Sequence, residues 1–301
     1  MSDLKNTAPV LVSIGLPTYN RAGMLRRSIV SALAQDHGNI ELLISDNAST
    51  DETEAICREF AAADTRVRYV RHPKNLGPTP NFLYALNESC GEYFMWLCDD
   101  DWLDPNYVSE CLKELVGSPG TALVGGIAKY YHGNEYKNTG APVNLLQNGR
   151  LDRMLHYYDT VDDNGIYFGL WRTPDVARLP NVNTMGNDWL TLAAAAYSGK
   201  IRTVGTTCIH RDLGGSTVSF AAIAEQMELP VHEQLFPHLS IAVNAVQDIL
   251  YRAWPFNELP LHTRIYLASR VFYKIVSKYV VRSTLINAVV SVRSRILGSR
   301  P

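Results

Sequence analysis

Three adjacent aspartates, Asp99, Asp100 and Asp101, are the side chains of this sequence whose types and spacing best suit chemistry. They follow the apolar run Tyr93–Cys98, which begins after Gly91 and predicts a short buried strand. In an extended backbone alternate side chains point the same way, so we expect Asp99 and Asp101 to face together. Clustered carboxylates repel one another and lose solvation, and Mg²⁺ or Mn²⁺, which prefer oxygen ligands, would relieve both costs. A metal held there can bind a diphosphate.

A solvated acidic turn and two known motifs compete with a metal site for these aspartates. An EF-hand loop starting at Asp99 requires Gly at its sixth position, where this chain has Asp104, and a ligand where it has Leu103. The stretch 100–104 also spells the aspartate-rich pattern of isoprenoid synthases, but that pattern lies on helices and this one follows a predicted strand. The aspartates alone leave a metal site and a solvated turn open.

Composition limits the remaining classes of protein. The 301 residues, 46% hydrophobic and 19% charged, are enough for a full globular core. The net charge is −2, but residues 261–301 carry eight Lys/Arg and no Asp/Glu, which leaves −10 on the first 260 residues. An acidic body argues against nucleic acid as a partner. Five cysteines without a CxxC pair indicate free thiols in a reducing cytosol.

Neither a secretory signal nor an apolar stretch of about 18 residues is found in the sequence, so we expect a cytoplasmic protein. Strands predicted at 10–16, 41–44 and 66–70 are each followed by a helical pattern, and the strand at 93–98 comes next. This alternation predicts a parallel sheet whose ligands lie beyond the carboxyl ends of the strands. Neither GxGxxG nor GxxxxGK[ST] follows the first strand, which argues against a dinucleotide fold and a P-loop.

Four motifs occur in order along this region: Pro17-Thr18-Tyr19-Asn20-Arg21, then Ser45–Asp51, then Asn75-Leu76-Gly77 with Asn81, then Gly91-Glu92-Tyr93 leading into the three aspartates. Over about residues 10–220 this combination resembles the family 2 inverting glycosyltransferases of bacterial polysaccharide and O-antigen type. The resemblance implies the GT-A fold, an α/β architecture with a Rossmann-like mixed sheet flanked by helices. It also implies a GT-A domain at 1–220, with a nucleotide-sugar-binding half at about 10–125 and an acceptor-binding half at about 126–220. A helical C-terminal region at 221–301 follows.

The resemblance also implies roles for individual residues. Those expected to bind the nucleotide sugar are Pro17, Thr18, Tyr19, Asn20, Arg21, Asp46, Asn47, Asn75, Gly77, Asn81, Asp99, Asp100 and Arg211. Mn²⁺ or Mg²⁺ is expected on Asp99 and Asp101, with His210 as a further ligand or phosphate contact, although a lone His is more often a structural hydrogen-bonding group. His210-Arg211 and the loop 214–217 resemble the basic pair and small-residue loop of the family near the diphosphate. Asn47 stands where the family usually has a second Asp, which leaves the nucleobase open.

Asp188 is the predicted catalytic residue. We predict a helix at 189–198, which puts Asp188 at or beside its N-cap, and a plain cap is the alternative. In the family an Asp that starts a helix after the aspartate-rich strand serves as the general base, and a helix N-terminus favours an ionised carboxylate. Asp162 and Asp163 are chemical rivals in a predicted loop. Other predictions in this half are a strand at 123–131, an exposed loop at 132–149, a helix at 151–158 and a strand at 165–171.

The last segment, 261–301, alternates basic residues with Ile265, Phe272, Ile275 and Tyr279. This basic amphipathic pattern suits an anionic membrane surface, and a helix that caps the core is the alternative. The protein would then lie on the inner face of the plasma membrane.

The function that these motifs predict is metal-dependent inverting transfer of a hexose from a nucleotide-sugar donor to a hydroxyl of a saccharide or polyprenyl-diphosphate-linked acceptor, in bacterial surface polysaccharide synthesis. A sugar-nucleotide pyrophosphorylase and a non-catalytic sugar-nucleotide or carbohydrate-binding module are the rivals. The pyrophosphorylase needs a Gly-rich basic loop after the first strand, which 17–21 is not. A homo-oligomer remains open.

Overall fold

The protein is described here from a computed structural model, over residues 10–161, 163–214, 220–252 and 254–281. Within these ranges the strands join one mixed sheet. The strands are β1 (Val12–Thr18), β2 (Ile40–Asp46), β3 (Val67–Arg71), β4 (Tyr93–Trp96), β5 (Trp102–Leu103), β6 (Thr121–His132), β7 (Glu135–Thr139), β8 (Leu170–Arg172) and β9 (Lys200–Asp212).

Helices flank this sheet and alternate with its first strands. They are α1 (Ala22–Leu33), α2 (Thr53–Ala63), α3 (Pro78–Asn87), α4 (Tyr107–Gly117), α5 (Arg150–Thr160), α6 (Thr173–Val176), α7 (Asn187–Ser198), α8 (Phe220–Gln226), α9 (Val231–Leu235), α10 (Pro237–Leu250) and α11 (Leu261–Ile275), with 3-10 turns at Gly165–Phe168 and Phe256–Glu258 and a π-helical turn at Val276–Val281.

The sheet has the strand order β3-β2-β1-β4-β8-β6-β9-β5, and β7 pairs with β6 outside this path. The pairs among β1, β2, β3 and β4 are parallel, as the strand–helix alternation predicts. Beyond β4 the direction changes, because β8 runs antiparallel to both β4 and β6. The expected α/β fold with a mixed, helix-flanked sheet is therefore confirmed.

Local chemistry explains where several helices begin. Gly77 has a φ of +85° as the N-cap of α3, and Pro78 follows as its first residue. Pro230 and Pro260 precede α9 and α11 as their N-cap residues. Helix α2 starts at Thr53, two residues after Asp51. The Asp51 carboxylate accepts the backbone N–H groups of Ala22 (3.1 Å) and Thr53 (3.0 Å), and so stabilises the starts of α1 and α2 from outside both helices.

Two predictions for the second half were wrong. The expected loop at 132–149 contains β7, whose residues are all exposed, so its sequence has none of the apolar alternation that indicates a strand. The expected strand at 165–171 is a 3-10 turn followed by β8, which starts only at Leu170. Gly169 lies between them, where a Cβ atom would come within 2.5 Å of the Val124 carbonyl oxygen.

The C-terminal helices share a hydrophobic core with the second half of the sheet. Leu267, Val271 and Ile275 of α11 are buried in the same cluster as Leu190 of α7 and Leu123 of β6. A second cluster lies around β1, β2 and α1. The division at residue 220 stays a prediction. None of the helices in the described ranges combines the length and the apolar character needed to cross a membrane, and residues 282–301 of the predicted basic tail lie outside those ranges.

Candidate active site

The carboxyl ends of β1, β2 and β4 lie at a cavity of about 340 Å³, which we call the smaller cavity. β1 and β2 end together because Thr18 and Asp46, their last residues, are partners in the parallel ladder. Most of the residues predicted to bind the nucleotide sugar line this cavity: Pro17, Thr18, Tyr19, Arg21, Asn47, Asn75, Asn81, Asp99 and Asp100. The topology thus brings together motifs that are up to 83 positions apart along the chain.

Polar groups with capacity for a ligand lie in this cavity. The Thr18 hydroxyl is buried and forms no well-aligned hydrogen bond with the described residues, but it lies close enough to Asp99 to lower the pKa of that carboxyl against the effect of burial. The Arg21 Nε lies 3.8 Å from Asp99 Oδ1. A buried hydroxyl without a partner costs roughly 1–3 kcal/mol. A hydroxyl or phosphate oxygen of a ligand would remove that cost and would also meet the guanidinium.

Asn47 lines the smaller cavity and organises the loop at residues 75–77. Its Nδ2 donates to Asn75 Oδ1 (2.7 Å) and to the Gly77 carbonyl (3.1 Å), and its Oδ1 accepts the N–H of Leu76 (2.8 Å). Asn can satisfy this loop because it both donates and accepts, whereas the Asp usual at this position in the family only accepts when ionised. Asn81 also lines this cavity and links α3 to β2, because its Nδ2 donates to the Ser45 carbonyl (3.0 Å).

Four residues expected at the nucleotide do not line the smaller cavity, namely Asn20, Asp46, Gly77 and Arg211. Asp46 is fully buried, and its carboxylate accepts the N–H of Ser49 (2.9 Å) and the hydroxyl of Tyr69 (2.8 Å). Asn20 has a φ of +53° and accepts the N–H of Thr50 (2.8 Å). These contacts hold the loops in place, so direct nucleotide binding by these side chains stays a prediction.

The three aspartates, Asp99–Asp101, form a tight turn between β4 and β5, which we call the acidic turn. The N–H of Asp101 donates to the Cys98 carbonyl (3.2 Å), so the backbone reverses where an extended chain was expected. Asp99 lines the smaller cavity. Asp101 is 1% exposed, and its two oxygens accept Arg211 Nε (3.1 Å) and the N–H of Asp212 (3.1 Å). Asp99 and Asp101 therefore have different surroundings, contrary to the simple alternation of an extended strand.

Burial and mutual repulsion control the protonation of this turn. Burial, with the neighbouring Asp100 charge, raises the pKa of Asp99 to about 7. Burial and the Asp101 charge raise the pKa of Asp100 to about 6. The pKa of Asp101 is also raised by burial, against the opposing effect of Arg211. Carboxylates with raised pKa values gain from a nearby cation, since it favours their ionised form.

Among the described residues, one group of side chains could hold a metal ion. It consists of Cys98, Asp100 and Asp101, whose ligand atoms lie within 4.8 Å of one another. Burial raises the pKa of the Cys98 thiol well above its usual value, and sulfur is a soft ligand that does not suit Mg²⁺ or Mn²⁺. The two carboxylates remain, and oxygen ligands of this kind fit Mg²⁺ or Mn²⁺. The acidic turn is thus compatible with the expected metal, but Asp99 is not a member of the group.

His210 is placed away from this group. Its ring stacks on Trp102, with centroids 5.0 Å apart. Its Nε2 lies 2.8 Å from Asp104 Oδ1 and its Nδ1 lies 3.2 Å from the Tyr131 hydroxyl. Both ring nitrogens have protein partners, which favours the structural hydrogen-bonding alternative over a metal ligand.

A second cavity of about 740 Å³ adjoins the first and is called the larger cavity. Pro78, Phe82 and Gln226 line both. Asp188 lies on the wall of the larger cavity as the second residue of α7, whose N-cap is Gly186. The prediction of Asp188 near a helix start therefore holds, although it is not the cap itself.

The carboxylate of Asp188 is held by a residue that sequence reasoning missed. Asn164 Nδ2 donates to Asp188 Oδ2 (2.7 Å), and Asn164 Oδ1 accepts the Tyr157 hydroxyl (3.0 Å). Burial raises the pKa of Asp188, and the bonds from Asn164 and the helix N–H groups only partly oppose it. The helix N-terminus was expected to dominate, but the cavity wall desolvates the carboxylate more strongly. A base with a raised pKa is closer in basicity to an acceptor hydroxyl.

The rival Asp163 also lines the larger cavity, but its Oδ1 accepts the N–H of Gly165 (2.7 Å) and the Tyr130 hydroxyl. Asp162 and residues 215–219 of the predicted small-residue loop lie outside the described ranges. Arg211 lines the larger cavity and bonds Asp101, so it joins the acidic turn to the wall that carries Asp188. No sequence signal indicated Asn164, since a lone Asn in a loop has many structural uses.

Comparison with known proteins identifies the family of this fold. Residues 13–175 match the family model described as Glycosyl transferase family 2. Glycosyltransferase GlyA of Streptococcus pneumoniae is 28% identical over 58% of this chain and 24% of its own length. A GalNAc(5)-diNAcBac-PP-undecaprenol beta-1,3-glucosyltransferase of Campylobacter jejuni is 32% identical over 34% of each chain. The chain thus spans between about a quarter and a third of the length of these two relatives.

Solved structures support the fold independently. The crystal structure of S. aureus TarS 1–349 in complex with UDP-GlcNAc aligns with a TM-score of 0.62 at 16% identity, over 89% of this chain and 73% of that one. The same TarS segment in complex with UDP aligns with a TM-score of 0.60. At this identity the likeness concerns the fold, and it agrees with the mixed sheet described above.

Proposed function

The chain belongs to glycosyl transferase family 2, and we propose that it transfers a sugar with inversion from a nucleotide-sugar donor to a hydroxyl of a saccharide or lipid-linked acceptor. The match covers more than half of the chain, so the expected enzyme class is confirmed at the level of the family. The observation that carries the proposal is the pair of adjoining cavities. One is lined by the acidic turn and the other by Asp188, and both share Pro78, Phe82 and Gln226.

In this proposal the donor occupies the smaller cavity. Its nucleoside lies between Thr18 and the loop that Asn47 holds, and its diphosphate lies toward Arg21 and the acidic turn. TarS was solved with UDP-GlcNAc and with UDP, which supports a uridine donor as the first to test. Asp99 would contact the donor directly, because it lines the cavity and lies near Arg21.

The acceptor occupies the larger cavity with one hydroxyl at Asp188. The carboxylate takes the proton of that hydroxyl, and the oxygen attacks the anomeric carbon from the face opposite the diphosphate, so the configuration inverts. Asn164 fixes the orientation of the carboxylate through Oδ2. The Campylobacter relative is named for an undecaprenol-linked saccharide, which supports a lipid-linked acceptor in surface polysaccharide synthesis.

A divalent cation would be held by Asp100 and Asp101, with Asp99 beside them. Such a cation supplies neutralisation of the charge that develops on the departing nucleoside diphosphate. The residues of the chain contribute independently of it, because Arg21 presents a guanidinium at the donor and Arg211 extends from the turn to the larger cavity.

A donor screen tests the proposal against its rivals. The protein is incubated with a panel of nucleotide sugars, starting with UDP-GlcNAc, in Mn²⁺, in Mg²⁺ and in excess chelator, and nucleoside diphosphate release is measured. We expect slow release from one donor, accelerated by an acceptor and lost in chelator. Formation of nucleoside triphosphate from added pyrophosphate would identify a pyrophosphorylase. Donor binding without any cleavage would indicate a non-catalytic module, and full activity in chelator would refute metal dependence.

A further inference from the structure

The turn that leads into α7 is held by helices of the C-terminal region. Glu233 of α9 is 8% exposed, and its Oε2 accepts both the hydroxyl of Thr184 (2.9 Å) and the N–H of Met185 (2.7 Å). These two residues come directly before Gly186, the N-cap of α7. A buried carboxylate with both bonds on one short turn fixes that turn firmly, since charged hydrogen bonds are the stronger kind.

Helix α10 holds the same turn at two further points. Asn244 Nδ2 donates to the Thr184 hydroxyl (2.5 Å), so this hydroxyl accepts from α10 and donates to α9. Gly186 has a φ of +73°, and a Cβ atom there would lie 2.6 Å from Cγ1 of Ile241. The backbone of the turn is therefore packed directly against α10, and only glycine fits both the conformation and the space.

Asp188 follows this turn by two residues and lies within the first turn of α7, so the position of its carboxylate depends on where the helix begins. Asn164 holds the carboxylate from the cavity side. Glu233 lines neither cavity, so its contacts give it no direct access to a donor or an acceptor. Its effect on the reaction must pass through the turn and α7.

We propose that Glu233 is a positioning residue for Asp188, and that α9 and α10 thereby set the distance between the base and the acceptor hydroxyl. The proposal rests on the assignment of Asp188 as the base. It makes the C-terminal helices part of the catalytic apparatus, although their sequence carries no motif for it. A displacement of about 1 Å in a reacting group can cost about 100-fold in rate.

Two substitutions of Glu233 separate positioning from charge. Glu233→Ala removes both bonds, and we expect kcat to fall by about 10- to 100-fold. Donor KM should stay within about twofold, because the smaller cavity is untouched. Glu233→Gln should keep kcat within about threefold, because both bonds end on one oxygen and an amide oxygen can accept them. Glu225→Ala, at an exposed position of α8, is the matched control and should resemble the wild type.

A second variant covers the case in which Glu233→Ala folds poorly. Thr184→Val removes the hydroxyl that links α9 and α10 but keeps the Met185 bond, so kcat should fall less than in Glu233→Ala, again with donor KM unchanged. Wild-type kcat in both Thr184→Val and Glu233→Ala would overturn the proposal. So would an equal loss of kcat and donor affinity in both, which would indicate a general structural role.

Hydrogen exchange gives a readout that does not need activity. Amide exchange at residues 184–190 should accelerate in Glu233→Ala and stay slow in Glu233→Gln. Unchanged exchange in both variants would overturn the positioning role even if no donor is ever turned over. If the wild type is inactive but exchange accelerates in Glu233→Ala and not in Glu233→Gln, the result would count against the proposed transferase function alone.

Discussion

The smaller and the larger cavity are built in different ways. The smaller cavity is formed mainly at the carboxyl ends of β1, β2 and β4 and at the start of α3. Its loops are held by bonds such as Asn47 to Asn75 and Asn81 to Ser45. The larger cavity is formed by distant segments, and Asp188 depends on Asn164 and on the turn held by Glu233. The proposed donor site is thus fixed mainly by sheet topology, whereas the proposed base is fixed by tertiary packing. Remote substitutions should therefore disturb the base more easily than donor binding.

Removal of the proposed base in the larger cavity should give the largest loss of transfer rate and leave donor binding in the smaller cavity unchanged. Asp188→Asn keeps the size of the side chain but removes its basicity, and loss of a general base typically costs about 10²–10⁴-fold in rate. Donor binding, measured by calorimetry, should not change, because Asp188 does not line the smaller cavity. Asp163→Asn is the matched control on the same wall, and its rate should fall by less than about tenfold. The reverse ranking of these two variants would move the base to Asp163.

Within the acidic turn, two neighbouring substitutions should separate folding from catalysis. Asp101→Ala leaves Arg211 without its buried partner, and breaking a buried pair costs about 3–5 kcal/mol of unfolding free energy. Asp100→Ala strands no such partner, so it should impair transfer while the urea midpoint stays near that of the wild type. A wild-type urea midpoint for Asp101→Ala would show that the Arg211 contact contributes little to stability.

The pH profile should report the surroundings of the base. Only the ionised form of Asp188 accepts a proton, so kcat should fall about tenfold per pH unit below its pKa, which burial raises above the usual value. Asn164 donates to the ionised form of Asp188 and so lowers the pKa of this carboxyl against the effect of burial. In Asn164→Ala the acid limb should therefore move to higher pH. An unmoved limb in this variant would mean that another group titrates.

The same contrast explains which predictions the sequence could support. Motifs that follow strands, such as Pro17–Arg21, converge because parallel topology places strand ends together, and short-range patterns reveal that topology. The direction in which each side chain points could not be predicted from these patterns. Asp46 is bonded inside the fold, and the three aspartates form a turn, because hydrogen bonds to distant partners decide these orientations. Glu233 and Asn164 had no local signal, since their partners lie 48 and 24 residues away in sequence.

The basic C-terminal segment gives the smallest expected effect, and the structure changes how it should be tested. Ile275 and Tyr279, expected on the membrane side, pack on the core, as the capping alternative predicts. Lys274 bonds Asp159, and Lys278 donates to the carbonyls of Asp159 (2.8 Å) and Val161 (3.1 Å). Truncation before Leu261 would remove core residues and could not separate membrane binding from folding.

A membrane role would therefore fall on the exposed side chains Ile265, Phe272 and Tyr273 of α11 and on the four arginines beyond residue 281. Each Arg near an anionic surface contributes about 1 kcal/mol, and this attraction is screened over a Debye length of about 8 Å. Removal of residues 282–301 should abolish sedimentation with anionic vesicles at low salt while transfer to a soluble acceptor continues. Full-length protein should lose sedimentation as salt is added. If the full-length chain ignores the vesicles even at low salt, α11 serves only to cap the core, and its exposed apolar residues have no membrane partner.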